Sequence, residues 1–448
     1  MALHQQTDES VVNDSQNSGL TRRHFLTRGL TTLGAATALS MTDWGMRVTD
    51  AVAKAGFPAS SDDDAYWTTL RSQFPFDQGL TYMNNGGLGA PPKPVIDAVI
   101  EGYRGISANP SVNETAQGDH VDEVVRPEMA QFIGADTDEI VFTRNATEGL
   151  NIIANGIAMK PGDEVLTTTH EHPAGMEPWM LKAQRYGIVV RQIRLPSPPD
   201  SKEQIIETFR QAMNERTKVL FFCHITRGPG LLYPAKELCA LARERGILSA
   251  VDAAQSIGMI PVDCHDMGCD FLANSLHKWL LAPIGSGVLY VRKGIQPEFF
   301  PMFAGAGQWD IADAGSRRYE SVGTNTVPVQ MGIGAALTYI KTIGIKNIEA
   351  RNWMLSDYLK AELVKIPGVR LMTSTSHELS SPGITTVEVE SWQARTIRRT
   401  MQDKFNVTVS TDNRDHNNGI RISTHFYNTT EDIDKTIQAL RSILQSNI

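Results

Sequence analysis

The chain has 448 residues, 41% of them hydrophobic and 21% charged, and a formal net charge of −8. That length predicts a large domain with a smaller companion, and the apolar supply excludes a collagen-like, disulfide-scaffold or disordered chain. The acidic balance excludes a nucleic-acid binder and a basic membrane-surface protein, which leaves small-molecule chemistry.

At the start of the chain, residues 1 to 20 are polar and carry no apolar period. Thr21-Arg22-Arg23-His24-Phe25-Leu26 follows, then the mildly apolar, small-residue run Gly29 to Met41. Paired arginines, an aromatic residue close behind and a weakly hydrophobic stretch resemble a twin-arginine export signal. The run is too short to span a bilayer, so a stable membrane anchor is not expected. Ala51-Val52-Ala53 offers a small-x-small cleavage site, and residues 1–53 read as a signal peptide. On that reading the twin-arginine translocase is a partner during export and the mature protein is periplasmic. A cytosolic protein with an arginine-containing N-terminal helix is the competing reading.

From about residue 64 onward, helical and strand patterns alternate. Apolar, β-rich runs stand at Glu139–Thr143, Glu164–Thr168, Ile188–Ile193, Val219–His224, Ile247–Asp252, Phe271–Ala273 and Gly287–Val291. Amphipathic segments such as Gln204–Met213 and Pro234–Arg245 lie between them. This alternation predicts an α/β fold with a mostly parallel sheet covered on both faces. A large domain is expected over 82–328, with 54–81 and 329–448 forming a smaller α+β domain. In such sheets ligands sit beyond the carboxyl ends of the strands. None of Cys223, Cys239, Cys264 and Cys269 has metal-ligand spacing. Cys223 and Cys239 read as small core residues, and a Cys264–Cys269 pairing is left open.

The strand Ile247–Asp252 ends in a carboxylate. Asp252 can cap the next helix, or it can face a protonated ring nitrogen and favour its charged form. Gln255, three residues on, is placed to donate to an oxygen of the same ring. Further along, Asp270-Phe271-Leu272-Ala273-Asn274-Ser275-Leu276-His277-Lys278 runs from an apolar strand into a lysine. The glycine-rich turn Pro283-Ile284-Gly285-Ser286-Gly287 follows it. A lone lysine is a solvated surface charge. In this setting it reads as a nucleophilic amine, which must lose its proton before adding to a carbonyl. Taken alone, Asn145-Ala146-Thr147 is a plain helix cap, and His172 is a loop histidine or half of a metal pair with His170.

Taken in order, these motifs resemble the class V aminotransferase group of fold-type I pyridoxal 5′-phosphate (PLP) enzymes. That family contains the cysteine desulfurases and isopenicillin N epimerase, and the resemblance covers roughly residues 64 to 445. Tyr82-Met83-Asn84-Asn85-Gly86-Gly87 resembles the N-terminal motif of the epimerases and implies Asn85 as a substrate contact. Thr143-Arg144-Asn145-Ala146-Thr147-Glu148-Gly149 resembles the phosphate loop, implying that Asn145, Ala146 and Thr147 hold the cofactor phosphate at a helix N-terminus. Glu171-His172-Pro173 resembles the segment whose imidazole stacks on the cofactor ring. By the same resemblance Asp252 partners the ring nitrogen, Gln255 the ring oxygen, Ser275 and His277 the phosphate, and Lys278 forms the Schiff base. Gly323-Thr324 resembles the segment that reaches the neighbouring subunit's phosphate, which implies a homodimer with shared sites. Gly419-Ile420-Arg421-Ile422-Ser423 resembles the strand whose arginine takes the substrate α-carboxylate; otherwise Arg421 is an edge-strand charge.

The implied chemistry begins with an amino acid or peptide-bound amine displacing Lys278, which then serves as general base at Cα. Asp252 keeps the ring nitrogen protonated, so charge spreads into the ring as a quinonoid. Where the proton returns decides between epimerisation, transamination and elimination, and the motifs do not encode that choice. Two departures stand out. Ser410 to Asn418 holds no cysteine, whereas a desulfurase needs a thiolate there. Arg227, in His224-Ile225-Thr226-Arg227-Gly228, replaces a small polar residue; it meets a second substrate carboxylate or is an outward-facing loop charge. With the export signal, the pattern also resembles periplasmic PLP enzymes that tailor the side chain of a siderophore such as pyoverdine. A PLP-fold protein that only binds a ligand and a periplasmic solute-binding protein are the rival classes.

Overall fold

The structure is a computed structural model that describes residues 49, 60–196, 198–305, 312–413 and 418–445. The expected export signal over 1–53 lies, apart from Thr49, outside these residues, as do 414–417 of the segment before Arg421. After helix Asp64–Arg71 the chain makes the short strand β1 (Thr81–Tyr82). Seven later strands then form one sheet. Its order is β2 (Ile140–Thr143), β8 (Gly287–Val291), β7 (Phe271–Asn274), β6 (Leu248–Asp252), β5 (Thr217–Cys223), β3 (Glu164–Thr168), β4 (Val189–Ile193). Only β8 runs against its neighbours β2 and β7, so the sheet is mostly parallel, as the alternating pattern predicts.

The sequence explains this sheet directly. Val219 to Cys223 of β5 are all buried, the near-continuous apolar run of a strand covered on both faces. Helices Ala146–Gly156 and Pro173–Tyr186 pack on one face around Val165, Val219, Phe221 and Ala250. A side chain the size of Phe221 contributes about 1.5–3 kcal/mol by such burial. Register matters more for function. Cys223 pairs with Asp252 and Asp252 with Ala273, so the carboxyl ends of β5, β6 and β7 are level.

A second sheet is antiparallel, in the order β12 (Ser410–Asp412), β13 (Gly419–Ser423), β10 (Ile384–Val389), β9 (Val369–Leu371). Helices Ile345–Leu363, Ala394–Phe405 and Thr430–Gln445 back it, and Leu359, Val387, Ile397 and Leu440 fill the space between. Strand β1 pairs in parallel with β11 (Val407–Thr408). The Met83 N–H donates to Thr408 O at 2.9 Å, and the Ser423 N–H donates to Met83 O at 2.7 Å. Residues 81–84 are thereby stitched into the second sheet, which carries Asn84 and Asn85 alongside β13. The expected domain limit at 328/329 falls within helix Val327–Ile343, whose Gly332 lies against Val99 and Pro283. All four cysteines are buried free thiols. Among the described residues no helix is long and apolar enough to cross a membrane.

Candidate active site

The level strand ends open onto a cleft. Ala146, Thr147, His172, Arg227, Asp252, Gln255, Ser275 and Lys278 all line it. Each is delivered by a strand end or the helix that follows. Asn145 caps helix Ala146–Gly156, its side-chain oxygen accepting the Glu148 N–H at 3.0 Å. The next N–H, of Ala146, donates to the buried Ser275 hydroxyl at 2.9 Å. Strand β8 can pass this close only through Gly287, where a β-carbon would lie 2.6 Å from Thr143 Oγ1 and 2.7 Å from Asn145 Cα. The result is a helix N-terminus with a serine hydroxyl at the cleft wall, a natural anion site.

Asp252 is followed by turns, so there is no adjoining helix for it to cap. One carboxylate oxygen accepts the Ala254 N–H at 3.0 Å, the local turn bond expected of a strand-end aspartate. The residue still lines the cleft, with its other oxygen 3.9 Å from Cys223 Sγ. His172 caps helix Pro173–Tyr186, its Nδ1 accepting the Ala174 N–H at 3.1 Å. That bond assigns the proton of the neutral ring to Nε2. His170 turns elsewhere, its Nδ1 lying 3.3 Å from Tyr233 Oη. Gln255 Oε1 accepts from Trp279 Nε1 at 2.7 Å while Nε2 donates to Gly86 O at 3.0 Å. One amide hydrogen of Gln255 is left for a ligand.

Lys278 is half-buried, and among the described residues its amine has no hydrogen-bond partner. Burial lowers its pKa to about 8; Asp252 opposes the shift, and the Arg421 and Arg227 charges reinforce it. About a tenth of the amine is then neutral at pH 7, far more than for a solvated lysine.

The remaining expected residues lie around this cleft rather than in its lining. Arg421 is buried between β12 and β10, so it is no edge-strand charge. Its Nη2 donates to Asn84 Oδ1 at 2.9 Å, and Nη1 donates to Arg227 O at 3.4 Å. Asn85 is fully buried, donating to Lys278 O at 3.3 Å and accepting from Tyr427 Oη at 2.9 Å. It buttresses the lysine's backbone, and Asn84 is the residue that faces the arginine. His277 is half-buried, its carbonyl accepting the Gly89 N–H at 2.8 Å, and burial with the adjacent Lys278 lowers its ring pKa. Thr324 is exposed and outside this lining.

Two residues with unassigned roles join the site. Cys223, read as core, lines the cleft because β5 ends level with β6. Glu171 lies buried, accepting from Thr168 Oγ1 at 2.7 Å. Burial lifts its pKa to about 7, with the Asp252 charge adding to the rise and Cys223 and Thr168 opposing it. The signal for both was their place at strand ends on the Asp252 edge.

Known proteins share this architecture. The family model "Aminotransferase class-V" matches residues 81–436. Isopenicillin N epimerase of Streptomyces clavuligerus is 30% identical over 393 residues, covering 85% of this chain and 98% of that protein. A probable cysteine desulfurase of Synechocystis sp. is 30% identical over 407 residues, covering 84% of this chain and 95% of that protein. The solved structure of a C-DES mutant, with glycine covalently linked to its PLP cofactor, superposes with a TM-score of 0.75 at 24% identity. It covers 83% of this chain and 98% of that one, a likeness of fold. From the family match over most of its length, together with these relatives, the chain belongs to the class V aminotransferase family of PLP-dependent enzymes.

Proposed function

We propose that this protein holds PLP in the cleft through Lys278 and acts on a primary amine that bears a carboxylate. The observation that carries this reading is the Lys278 amine, half-buried and without a hydrogen-bond partner among the described residues, in a cleft that also holds Asp252 and the Ala146–Ser275 helix end. When bound, the cofactor supplies an electron sink for charge developing at the substrate's α-carbon. Asp252 would hold the proton on its ring nitrogen, and His172 would pack on the ring. The remaining amide hydrogen of Gln255 would meet the ring oxygen. Ala146, Thr147 and Ser275 would hold the phosphate, with His277 and Asn145 supporting that end. Arg421 orients the substrate by its α-carboxylate. Lys278, neutral above about pH 8, takes a proton from the α-carbon and returns one.

The absence of cysteine from Ser410 to Asn418 disfavours desulfuration and supports transaminase-like or side-chain tailoring chemistry. Epimerisation is the second reading, supported by the similarity to isopenicillin N epimerases. Arg22-Arg23 and Ala51-Val52-Ala53 support export by the twin-arginine translocase, which would place peptidic amines of siderophore type within reach. Exposed Thr324, with the exposed apolar Ile100, Tyr103 and Ile284, supports a homodimer with shared sites.

The test is an absorbance spectrum of PLP-treated protein with borohydride reduction and mass analysis, for wild type and Lys278→Ala. A visible cofactor band fixed to Lys278 by reduction, and lost in the variant, is expected. A featureless wild-type spectrum after PLP addition would overturn the proposal and favour a protein that only binds its ligand.

A further inference from the structure

We propose that Trp279 is the positioning residue for Gln255: its indole N–H fixes how the Gln255 amide is turned, so that the cofactor's ring oxygen meets a donor. The inference deepens the PLP reading above and rests on it for the ring oxygen.

A glutamine amide has two ends of similar shape and opposite hydrogen-bonding character. Turned one way, Gln255 offers the cleft an N–H; turned the other way, it offers an oxygen. Two partners decide between them. Trp279 Nε1 donates to Gln255 Oε1 at 2.7 Å, and Gln255 Nε2 donates to Gly86 O at 3.0 Å. An indole nitrogen can only donate and a backbone carbonyl can only accept. Reversing the amide would set N–H against N–H at one end and oxygen against oxygen at the other. Gln255 and Trp279 are both buried, where an unmet polar group is costly.

The indole is itself held from several sides. Gly383 lets it approach, since a β-carbon there would lie 2.5 Å from Trp279 Cη2. The His425 ring stands edge-on to the indole, with centroids 5.1 Å apart and planes at 85°. His425 Nε2 donates to the Trp279 carbonyl at 3.1 Å; because that carbonyl can only accept, Nε2 carries the ring proton. Gly383 precedes β10 and His425 follows β13. Trp279, one residue beyond Lys278, therefore ties the second sheet to Gln255 from behind the cleft lining.

The orientation decides a sign as well as a distance. Gln255 lines the cleft together with Asp252 and Lys278. With Oε1 engaged by Trp279 and one Nε2 hydrogen by Gly86, the second Nε2 hydrogen is what the amide has to give. A donor favours an ionised oxygen, whereas the reversed amide would present an acceptor and repel the same charge.

The test titrates the full chain with PLP and with 3-deoxypyridoxal 5′-phosphate, which lacks the ring oxygen, and reads the ratio of their apparent dissociation constants by absorbance. Trp279→Phe and Trp279→Met remove the indole N–H with two different side chains, which guards against one of them failing to fold. In both, the preference for PLP should fall about threefold or more, the scale of one hydrogen bond. Gln255→Leu should show the full loss, and adding Trp279→Phe to it should move the ratio by less than about twofold, because the indole acts through the amide. An unchanged ratio in the Trp279 variants, equal weakening of both compounds, or a further fall in the Gln255→Leu background would overturn the proposal. Borohydride labelling of the same samples separates it from the reading beneath it. Labelled Lys278 in wild type, with a ratio that Trp279→Phe does not move, sinks the positioning role alone. A wild type that takes up neither compound sinks the cofactor reading, and this role with it.

Discussion

Helix Ala146–Gly156 has a lysine withdrawn from water near each end, Lys182 buried and Lys278 half-buried, and the two make an instructive pair. Lys182, on helix Pro173–Tyr186, donates to Ala154 O at 2.6 Å and to Ile157 O. Its charge meets the helix's unsatisfied C-terminal carbonyls, where a cation is stabilising. Lys278 lies by the other end, where Ala146 faces the cleft, and among the described residues its amine has no hydrogen-bond partner. Burial lowers both amines to about 8. A lowered pKa therefore marks withdrawal from water in both places. The unmet hydrogen bonds are what single out the functional lysine.

Replacing each lysine by methionine sharpens this contrast most. Lys278→Met should abolish covalent cofactor attachment while leaving urea unfolding of the cofactor-free protein unchanged or slightly harder, because a poorly solvated amine is removed. Lys182→Met should keep attachment and lose about 1–3 kcal/mol of stability, since two carbonyls lose a charged donor. Attachment lost in Lys182→Met, or stability lost in Lys278→Met, would break the comparison.

A smaller effect concerns pH. Both lysines are lowered to about 8 from the ordinary lysine value of 10.5, so between those values the unfolded chain binds more protons than the folded one. Stability should rise with pH across that interval. Urea midpoints of the cofactor-free proteins at about pH 7.5 and 9.5 should show the rise in wild type and a shallower one in Lys278→Met. An equal slope in both proteins would mean that the amine of Lys278 is not withdrawn from water.

The contrast between these lysines also shows what was legible beforehand. Strands Glu164–Thr168 and Gly287–Val291 were readable to the residue, because apolar runs between turn residues carry a local signal. The lysine, the aspartate and the helix cap were readable because each lies at a strand end. The Asn84–Arg421 bond joins positions separated by 337 residues, and no local pattern encodes it. The same limit applies to Asn85, whose partners Lys278 and Tyr427 come from distant segments. Cys223 looked like core because its strand is apolar; only the register with Asp252 brings it to the cleft.

Two buried carboxyls on the same edge extend the comparison to acids, with the smallest expected effect. Asp252 lines the cleft, whereas Glu171 sits behind it against Thr168. Burial raises Glu171 to about 7 from the ordinary glutamate value of 4.5, so over that interval the folded chain holds the extra proton. Its effect on stability is absent below the lower value, grows as an increasing penalty with rising pH, and is complete above the higher one. Glu171→Gln cannot ionise, yet its amide oxygen can still accept from Thr168. Urea midpoints of variant and wild type should therefore coincide near pH 4.5 and diverge by on the order of 1 kcal/mol in the variant's favour at pH 8. Cofactor attachment should be intact throughout. A variant destabilised equally at both pH values would show that Glu171 is needed as a packed, bonded side chain and that its ionisation is immaterial. Loss of the cofactor band would show instead that it acts through Cys223 on Asp252, and the two carboxyls would then belong to one site.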